Sequence, residues 1–156
     1  MKYFAMAALF VMGALGHWGW NTYFSVFGLS PQIALILTIA AGARQGPLAA
    51  MALGFSWGLF LDVFQVHLVG ANALTLTLAG YIVGVARRQV DVAAGPSQIM
   101  IVLAISWGAF LLKGILGLIF AGKFFWVGWA PFLFDPLYNC LVAPFLFFLW
   151  DRVVAP

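Results

Sequence analysis

Three charged residues stand inside otherwise apolar stretches, and they are the first candidates for chemistry. They are Asp62, Lys113 and Asp135. At a rise of 1.5 Å per residue, all three fall roughly 7–10 Å from the midplane of a bilayer that these stretches would cross. A charge without a partner is costly at that depth, so we expect the three side chains to converge, with Lys113 between the two acids. Such a cluster could fix helix packing, form a polar mouth for a small ligand, or belong to a proton or ion relay.

The other residue types that carry catalysis or bind metals form no recognisable site. His17, His67 and Asp62 do not have the spacing within one helix that would let them bind a metal ion together. Cys140 is the one cysteine, which excludes an intramolecular disulfide and a cysteine-based zinc site. Ser56 lies between Gly54 and Gly58 with G-x-S-x-G spacing, but this segment lies inside an apolar run expected to be a helix and not at the strand-to-helix turn that a nucleophile elbow needs. The sequence therefore predicts a protein that is not an enzyme and that holds no cofactor and no metal.

Glycines recur at intervals of three or four residues within the apolar stretches. Gly54 and Gly58 form one G-x-x-x-G pair, and Gly80 and Gly84 form another. Similar spacings occur at Gly13, Gly16, Gly19, Gly114 and Gly117. This spacing places glycines on one helix face, where a neighbouring backbone can approach closely. The neighbour could be another helix of this chain or a helix of a partner protein.

The chain is too apolar to cover a water-facing surface. Of its 156 residues, 65% are hydrophobic and 7% are charged, whereas a soluble domain has about a quarter charged residues. We therefore expect an integral membrane protein whose apolar surface faces lipid. The net charge of +3 does not indicate nucleic-acid binding, because only Arg87 and Arg88 are adjacent basic residues. That pair is expected to anchor the chain near lipid headgroups.

Six apolar runs are long enough, or nearly so, for the roughly 20 residues that a spanning helix needs. Their approximate bounds are 3–20, 29–43, 47–64, 70–86, 97–120 and 131–150. The sequence thus predicts an all-α protein with one transmembrane domain, residues 1–156. The first run is interpreted as a retained helix and not as a cleaved signal peptide, because no convincing cleavage site precedes Trp18.

Basic residues in the short connections predict the orientation. With six spans, one side of the membrane would hold five basic residues: Lys2, Arg44, Arg87, Arg88 and Arg152. The other side would hold only Lys123. Since lysine and arginine favour the cytoplasmic side, both termini are predicted to be cytoplasmic. Four tryptophans, Trp18, Trp20, Trp126 and Trp129, fall near the predicted outer interface.

A characteristic run of residues lies between positions 54 and 88. It combines a Gly-Leu-x-x-Asp segment, a glycine with a following Ala-Leu, and a Gly-Tyr-x-x-Gly segment before a basic pair. The matching residues are Gly58, Leu59, Asp62, Gly70, Ala73, Leu74, Gly80, Tyr81, Gly84, Arg87 and Arg88. This pattern resembles the MreD family of bacterial rod shape-determining membrane proteins. Lys113 has no counterpart in the family pattern.

The resemblance implies a non-enzymatic component of the cell-elongation machinery in the bacterial inner membrane. Such proteins bind the single-span protein MreC and act with the peptidoglycan synthase RodA and a class B penicillin-binding protein. The resemblance also implies a fold similar to the substrate-binding subunits of energy-coupling-factor transporters. The alternative is therefore a vitamin-binding subunit of that kind, with an outward pocket lined by Trp57, Asp62, Lys113 and Asp135. That alternative lacks a clear alanine-rich coupling motif.

Overall fold

A computed structural model describes residues 11, 13, 19, 32–64, 68–92 and 94–154 of the chain. These residues form five α-helices and no β-strand. The helices are α1 (Ile33–Gln45), α2 (Pro47–Val63), α3 (Ala71–Ala86), α4 (Gly95–Ala121) and α5 (Trp129–Val153). Their bounds lie within a few residues of the last five predicted runs, so the all-helical class is confirmed for this part of the chain.

Glycine and proline set the helix boundaries. Gly46 separates α1 from α2 with a φ of 99°, a conformation that side chains with a Cβ rarely adopt. Pro47 then opens α2, where its missing N–H is no loss. At the far end of α4, Gly122 has a φ of 63° and ends the helix in the left-handed conformation.

Helix α1 is the centre of the bundle. Every residue from Ile33 to Gly42 is buried, and α1 contacts all four other helices. Among the described residues before it, Gly13 also lies against this core, because a Cβ there would meet Leu37 and Trp57. Such all-round burial is typical of a helix in the core of a larger protein or a membrane bundle.

The remaining helices form two antiparallel hairpins around α1. Helices α2 and α3 pair most extensively, and α4 pairs with α5. Their outward faces carry many large hydrophobic side chains, such as Leu118, Leu141 and Phe145, which are all more than half exposed. An apolar exterior of this extent fits a lipid environment better than water.

The predicted set of six membrane spans is not supported by the structure. Two of the described helices, α4 with 27 residues and α5 with 25, are long and apolar enough to cross a membrane. Helices α1, α2 and α3 have 13, 17 and 16 residues, which is short of the roughly 20 that a spanning helix needs. The first predicted run, 3–20, lies almost wholly outside the described residues.

Candidate functional site

Asp62 binds the start of the following helix. It lies in the last turn of α2 and is 1% exposed. Its Oδ2 accepts hydrogen bonds from the backbone N–H of Gly70 at 2.9 Å and of Ala73 at 3.0 Å. Its Oδ1 accepts from the backbone N–H of Asn72 at 3.1 Å and from that residue's Nδ2 at 2.9 Å. One carboxylate thus satisfies three of the backbone donors that a helix N-terminus leaves without an intrahelical partner.

The charge of Asp62 suits this position. Helix α3 has no side-chain cap of its own, and the N-terminal end of a helix carries partial positive charge. The carboxylate therefore supplies from α2 the cap that α3 lacks. Gly70 precedes α3 with a φ of 95°, a left-handed conformation that directs its N–H to Asp62 and strains any residue with a Cβ.

The predicted glycine faces pack against each other within the chain. A Cβ at Gly58 would overlap the backbone of Ala73, and one at Gly84 would overlap the backbone of Pro47. Gly54 and Gly80 are similar: a Cβ on Gly54 would lie 2.5 Å from the carbonyl oxygen of Leu76, and one on Gly80 would lie 2.7 Å from that of Ala50. Of the two alternatives, the structure shows the intramolecular one. These faces are filled by the α2–α3 contact and leave no room for a partner helix.

The predicted cluster of three charges is only partly present. Lys113 interacts electrostatically with Asp62, but it makes no direct ion pair or hydrogen bond with another described residue. Asp135 is 8% exposed, and its Oδ1 has no hydrogen-bond partner in the described part of the chain. Lys113 therefore lies within electrostatic range of Asp62, and the structure shows no pairing between Lys113 and Asp135.

A buried polar contact that the sequence analysis did not identify lies one turn from Asp135. Asn139 donates from Nδ2 to the Oγ of Ser106 at 2.9 Å, and its Oδ1 accepts from the backbone N–H of Gln32 at 2.8 Å. Asn139 and Ser106 are fully buried. This contact joins α4, α5 and the start of α1. Polar residues inside long apolar runs are the signal that could have identified it.

Arginines hold the opposite end of the bundle together. Arg44 pairs with Asp151 through an Nη2–Oδ2 distance of 2.7 Å. Arg87 donates from Nη1 to the backbone carbonyl oxygen of Arg44 at 2.9 Å. The ends of α1, α3 and α5 therefore meet at one end of the bundle, which we call the arginine end.

A groove runs along the outside of the bundle between α3 and α4, and we call it the lateral groove. Its middle part has a volume of about 240 Å³ and is lined by residues such as Thr75, Leu78, Ala79, Gly108, Ala109 and Leu112. Its outer part, toward Asp62, has a volume of about 390 Å³ and includes Gly70, Ala71, Leu74, Leu116 and Phe120. Leu74 and Leu78 stand one helical turn apart, as do Leu112 and Leu116, so the two parts follow one another along the same helix pair.

The lining of the lateral groove bears on the predicted ligand pocket. Thr75 is the one polar side chain among those that line the groove, and none of Trp57, Asp62, Lys113 and Asp135 lines either of its parts. Two further candidates, His17 and His67, lie outside the described residues. The described residues contain no group of three potential metal ligands.

In the part of the chain that the structure describes, the geometry defines an all-helical bundle with two helices long and apolar enough to cross a membrane. Comparison with known proteins found no matching family model, no matching curated protein and no matching solved structure. Any closer assignment therefore depends on the residues themselves.

Proposed function

We propose that the chain is a multi-pass membrane protein of the bacterial inner membrane with both termini in the cytoplasm. Two helices have sufficient length, and the shorter α1, α2 and α3 pack with them in one bundle. The predicted first span, residues 3–20, would complete a set of six. Arginine is concentrated at one end, which the positive-inside rule assigns to the cytoplasm.

Within the membrane, we propose a non-enzymatic role in the cell-elongation complex, as the MreD resemblance implies. The chain would bind an MreC-like single-span protein and act beside RodA and a class B penicillin-binding protein. The observation that carries this proposal is the α2–α3 hairpin, in which most of the motif glycines and Asp62 have a defined role. Asp62 caps α3, Gly70 supplies the left-handed turn, and Gly58 admits the backbone of Ala73.

The vitamin-carrier alternative has less support. Asp62 directs both carboxylate oxygens at backbone and side-chain N–H groups of α3, and Trp57 is fully buried. Neither residue is therefore placed to contact a ligand that enters from outside. A vitamin site also needs a few convergent polar groups, and the lateral groove supplies one polar side chain, Thr75.

Native mass spectrometry of the complex, gently extracted from the protein's own host, tests the two functions. The elongation role predicts co-isolation of a single-span, coiled-coil periplasmic protein, with or without the wall synthases. Depletion of the chain should also turn rod-shaped cells round. A bound vitamin-sized mass, or an ATPase-containing module in place of the single-span protein, would contradict the elongation role. Another multi-pass protein of the same host, extracted in the same detergent, is the control for non-specific association.

A further inference from the structure

The connection between α4 and α5 concentrates aromatic side chains, and we call it the aromatic segment. Its residues are Lys123, Phe124, Phe125, Trp126 and Val127. They form no helix or strand and lie between two glycines with positive φ, Gly122 at 63° and Gly128 at 96°. Residues with a Cβ rarely adopt such angles, so these glycines allow the chain to reverse direction at each end of the segment.

The aromatic segment folds back along α4 and seats its rings on two glycines of that helix. A Cβ added to Gly117 would overlap the ring of Phe125, and one added to Gly114 would lie 2.5 Å from the ring of Phe124. The glycine pair predicted at 114 and 117 therefore accommodates aromatic rings, whereas the glycine faces of α2 and α3 accommodate helix backbone. Since Gly114 precedes the end of α4 by about two turns, the segment reaches inward and does not project away from the bundle.

The inner side of the aromatic segment is held by the bundle, and its outer side is open. The ring centroid of Trp126 lies 6.3 Å from that of Phe124 and 5.2 Å from that of Phe132, so the segment is joined to α5 as well as to α4. Even so, the side chains of Phe124, Trp126 and Val127 each remain 44–45% exposed. They present an apolar surface that no described residue covers.

The depth of the aromatic segment follows from the helices that it joins. Helix α4 rises about 40 Å over its 27 residues, so each end extends about 5 Å beyond a hydrocarbon core of roughly 30 Å on which it is centred. Gly114 lies about 12 Å from Gly122 along the axis, and the Phe124 ring seated there would therefore lie inside the hydrocarbon. The segment is also remote from the arginine end, because α5 rises about 33 Å between Trp129 and Asp151.

The backbone of the aromatic segment needs a different environment from its rings. The Lys123 N–H donates to the carbonyl oxygen of Gly117 at 3.3 Å, which holds the backbone near the edge of the hydrocarbon. The N–H groups of Phe124 and Val127 donate to no residue in the described part of the chain. Such groups are costly in hydrocarbon, whereas water and lipid oxygens accept their hydrogen bonds in the headgroup region. The boundary between the two regions therefore suits the whole segment.

We propose that the aromatic segment inserts into the membrane leaflet opposite the arginine end and binds the phospholipids of that leaflet. The rings of Phe124 and Trp126 lie among the upper acyl chains. The backbone N–H groups donate to ester and phosphate oxygens, and the ammonium of Lys123 reaches a phosphate on its flexible stem. The inference rests on the proposed function only in requiring that α4 and α5 cross a membrane.

Phospholipid suits this surface better than a soluble protein partner does. A soluble protein would meet only the part of the segment that rises above the hydrocarbon boundary, whereas the ring seated at Gly114 lies below it. Tryptophan and phenylalanine beside a lysine are also the residue types typical of a membrane interface. Lys123 is the one charged residue of the segment, and its ammonium matches the phosphate that all phospholipids carry.

Spin-label accessibility in lipid nanodiscs tests this placement with the full chain and no partner protein. In a Cys140→Ser background, a single labelled cysteine replaces Val127, Leu141 or Arg88. Leu141 is 77% exposed within the long apolar α5 and is the reference for hydrocarbon, and exposed Arg88 is the reference for water. Oxygen collides with labels in lipid, and a water-soluble nickel chelate collides with labels in water. The label at position 127 should show oxygen access close to that at Leu141 and nickel access several-fold below that at Arg88.

A matched pair of glycine substitutions tests the seat on α4. Gly117→Val places side-chain atoms where the Phe125 ring lies, so it should displace the segment and raise nickel access at position 127 several-fold. Gly108→Val is the control, because a Cβ there would meet nothing within 4 Å, and it should leave that access unchanged. Circular dichroism shows whether each variant is folded. If Gly117→Val does not fold, the label at position 127 in the otherwise unsubstituted chain decides the proposal by itself.

Each contrary result overturns the proposal for a different reason. Nickel access at position 127 equal to that at Arg88 would place the segment in water, and a label shielded from both reagents would place it against protein. Unchanged nickel access in a folded Gly117→Val chain would remove the seat on α4. Failure at position 127 with Leu141 still in hydrocarbon removes only this inference. Water access at Leu141 would instead remove the membrane-spanning arrangement that the proposed function also needs.

Discussion

Asp62 and Asn72 are joined by two hydrogen bonds to a single carboxylate oxygen. The backbone N–H and the Nδ2 of Asn72 both donate to Oδ1, at 3.1 and 2.9 Å. Asn72 is 2% exposed and Asp62 is 1% exposed, so water cannot replace either bond. The interaction ties the end of α2 to the first turn of α3 and sets the geometry of the most closely packed hairpin in the bundle.

Removing the Asp62 cap should destabilise the protein strongly. Asp62→Ala leaves four donors without an acceptor, three of them buried, and we expect a loss of about 3 kcal/mol or more in the free energy of unfolding. Asp62→Asn keeps the shape but loses the charge, and its loss should be smaller, about 1–3 kcal/mol. Unfolding followed by circular dichroism in detergent or nanodiscs measures both. Asp151→Asn is the control, since its exposed ion pair should contribute under about 1 kcal/mol. Equal effects at both positions would refute the capping role.

Gly58 and Gly108 form a matched pair for testing helix contact. A Cβ at Gly58 would overlap the backbone of Ala73, so Gly58→Ala must push α2 and α3 apart. We expect a loss of about 3 kcal/mol, at the upper end of overpacking effects. Gly108→Ala meets nothing within 4 Å and should stabilise α4 by up to about 1 kcal/mol through helix propensity. Thermal unfolding of the two variants should shift in opposite directions, and a similar shift in both would contradict the packing described for Gly58.

The buried contact between Asn139 and Ser106 should be measurable by a double-mutant cycle. Ser106→Ala leaves the Asn139 Nδ2 without an acceptor, and we expect a cost of about 1–2 kcal/mol. Asn139→Leu removes that contact and also the acceptor for the Gln32 N–H. The coupling energy between the two positions should be about 0.5–2 kcal/mol. Ser56→Ala serves as the control, because Ser56 Oγ bonds only within its own helix and is exposed. A coupling energy of zero would show that the contact does not contribute.

Trp107 compensates for a proline in the opposite helix. Pro136 has no N–H for the carbonyl oxygen of Phe132, four residues earlier in α5. That oxygen instead accepts from the Trp107 Nε1 at 3.0 Å. Trp107→Phe should therefore lower the free energy of unfolding by about 1 kcal/mol. In a Pro136→Ala background, the backbone N–H gained at position 136 satisfies the same oxygen, so Trp107→Phe should cost less there. An undiminished cost would contradict this account.

The orientation can be tested by labelling single cysteines in a Cys140→Ser background. A membrane-impermeant thiol reagent added outside intact cells should label Lys123→Cys and leave Arg88→Cys unlabelled. After the membrane is opened, both should react to a similar extent. The prediction follows from the distribution of basic residues and from the joining of the α1, α3 and α5 ends through Arg44, Arg87 and Asp151. Labelling of Arg88→Cys in intact cells would reverse the proposed orientation.

The sequence predicted the bounds of the five described helices to within a few residues. The reason is that Pro47, Gly70 and Gly122 are residue types that mark helix boundaries. The sequence also placed Gly80 and Gly84 on one close-packing face. The sequence could not identify the helix that packs against that face. The spacing of glycines shows which side of their own helix they share, and it does not show which helix lies opposite. That neighbour is α2, at Ala50 and Pro47.

The candidate site was only partly predictable, for a related physical reason. The cost of burying Asp62 indicated that its carboxylate needs partners. Its negative charge favoured Lys113 as the predicted partner. In the structure its direct partners are backbone N–H groups of α3, which carry no signature in the side-chain sequence. Asn139 and Ser106 were missed because neither residue is charged, although each is fully buried.

Helix α1 has a consequence for how the protein would respond to its membrane. Its 13 residues span about 20 Å, well under the thickness of a hydrocarbon core, and its surface meets protein almost everywhere. Its length is therefore matched to its neighbours and not to the lipid. Hydrophobic mismatch would act instead on α4 and α5, which exceed that thickness and can change tilt. A thicker or thinner bilayer would thus alter the angle between α4 and α3, while the centre of the bundle keeps its geometry.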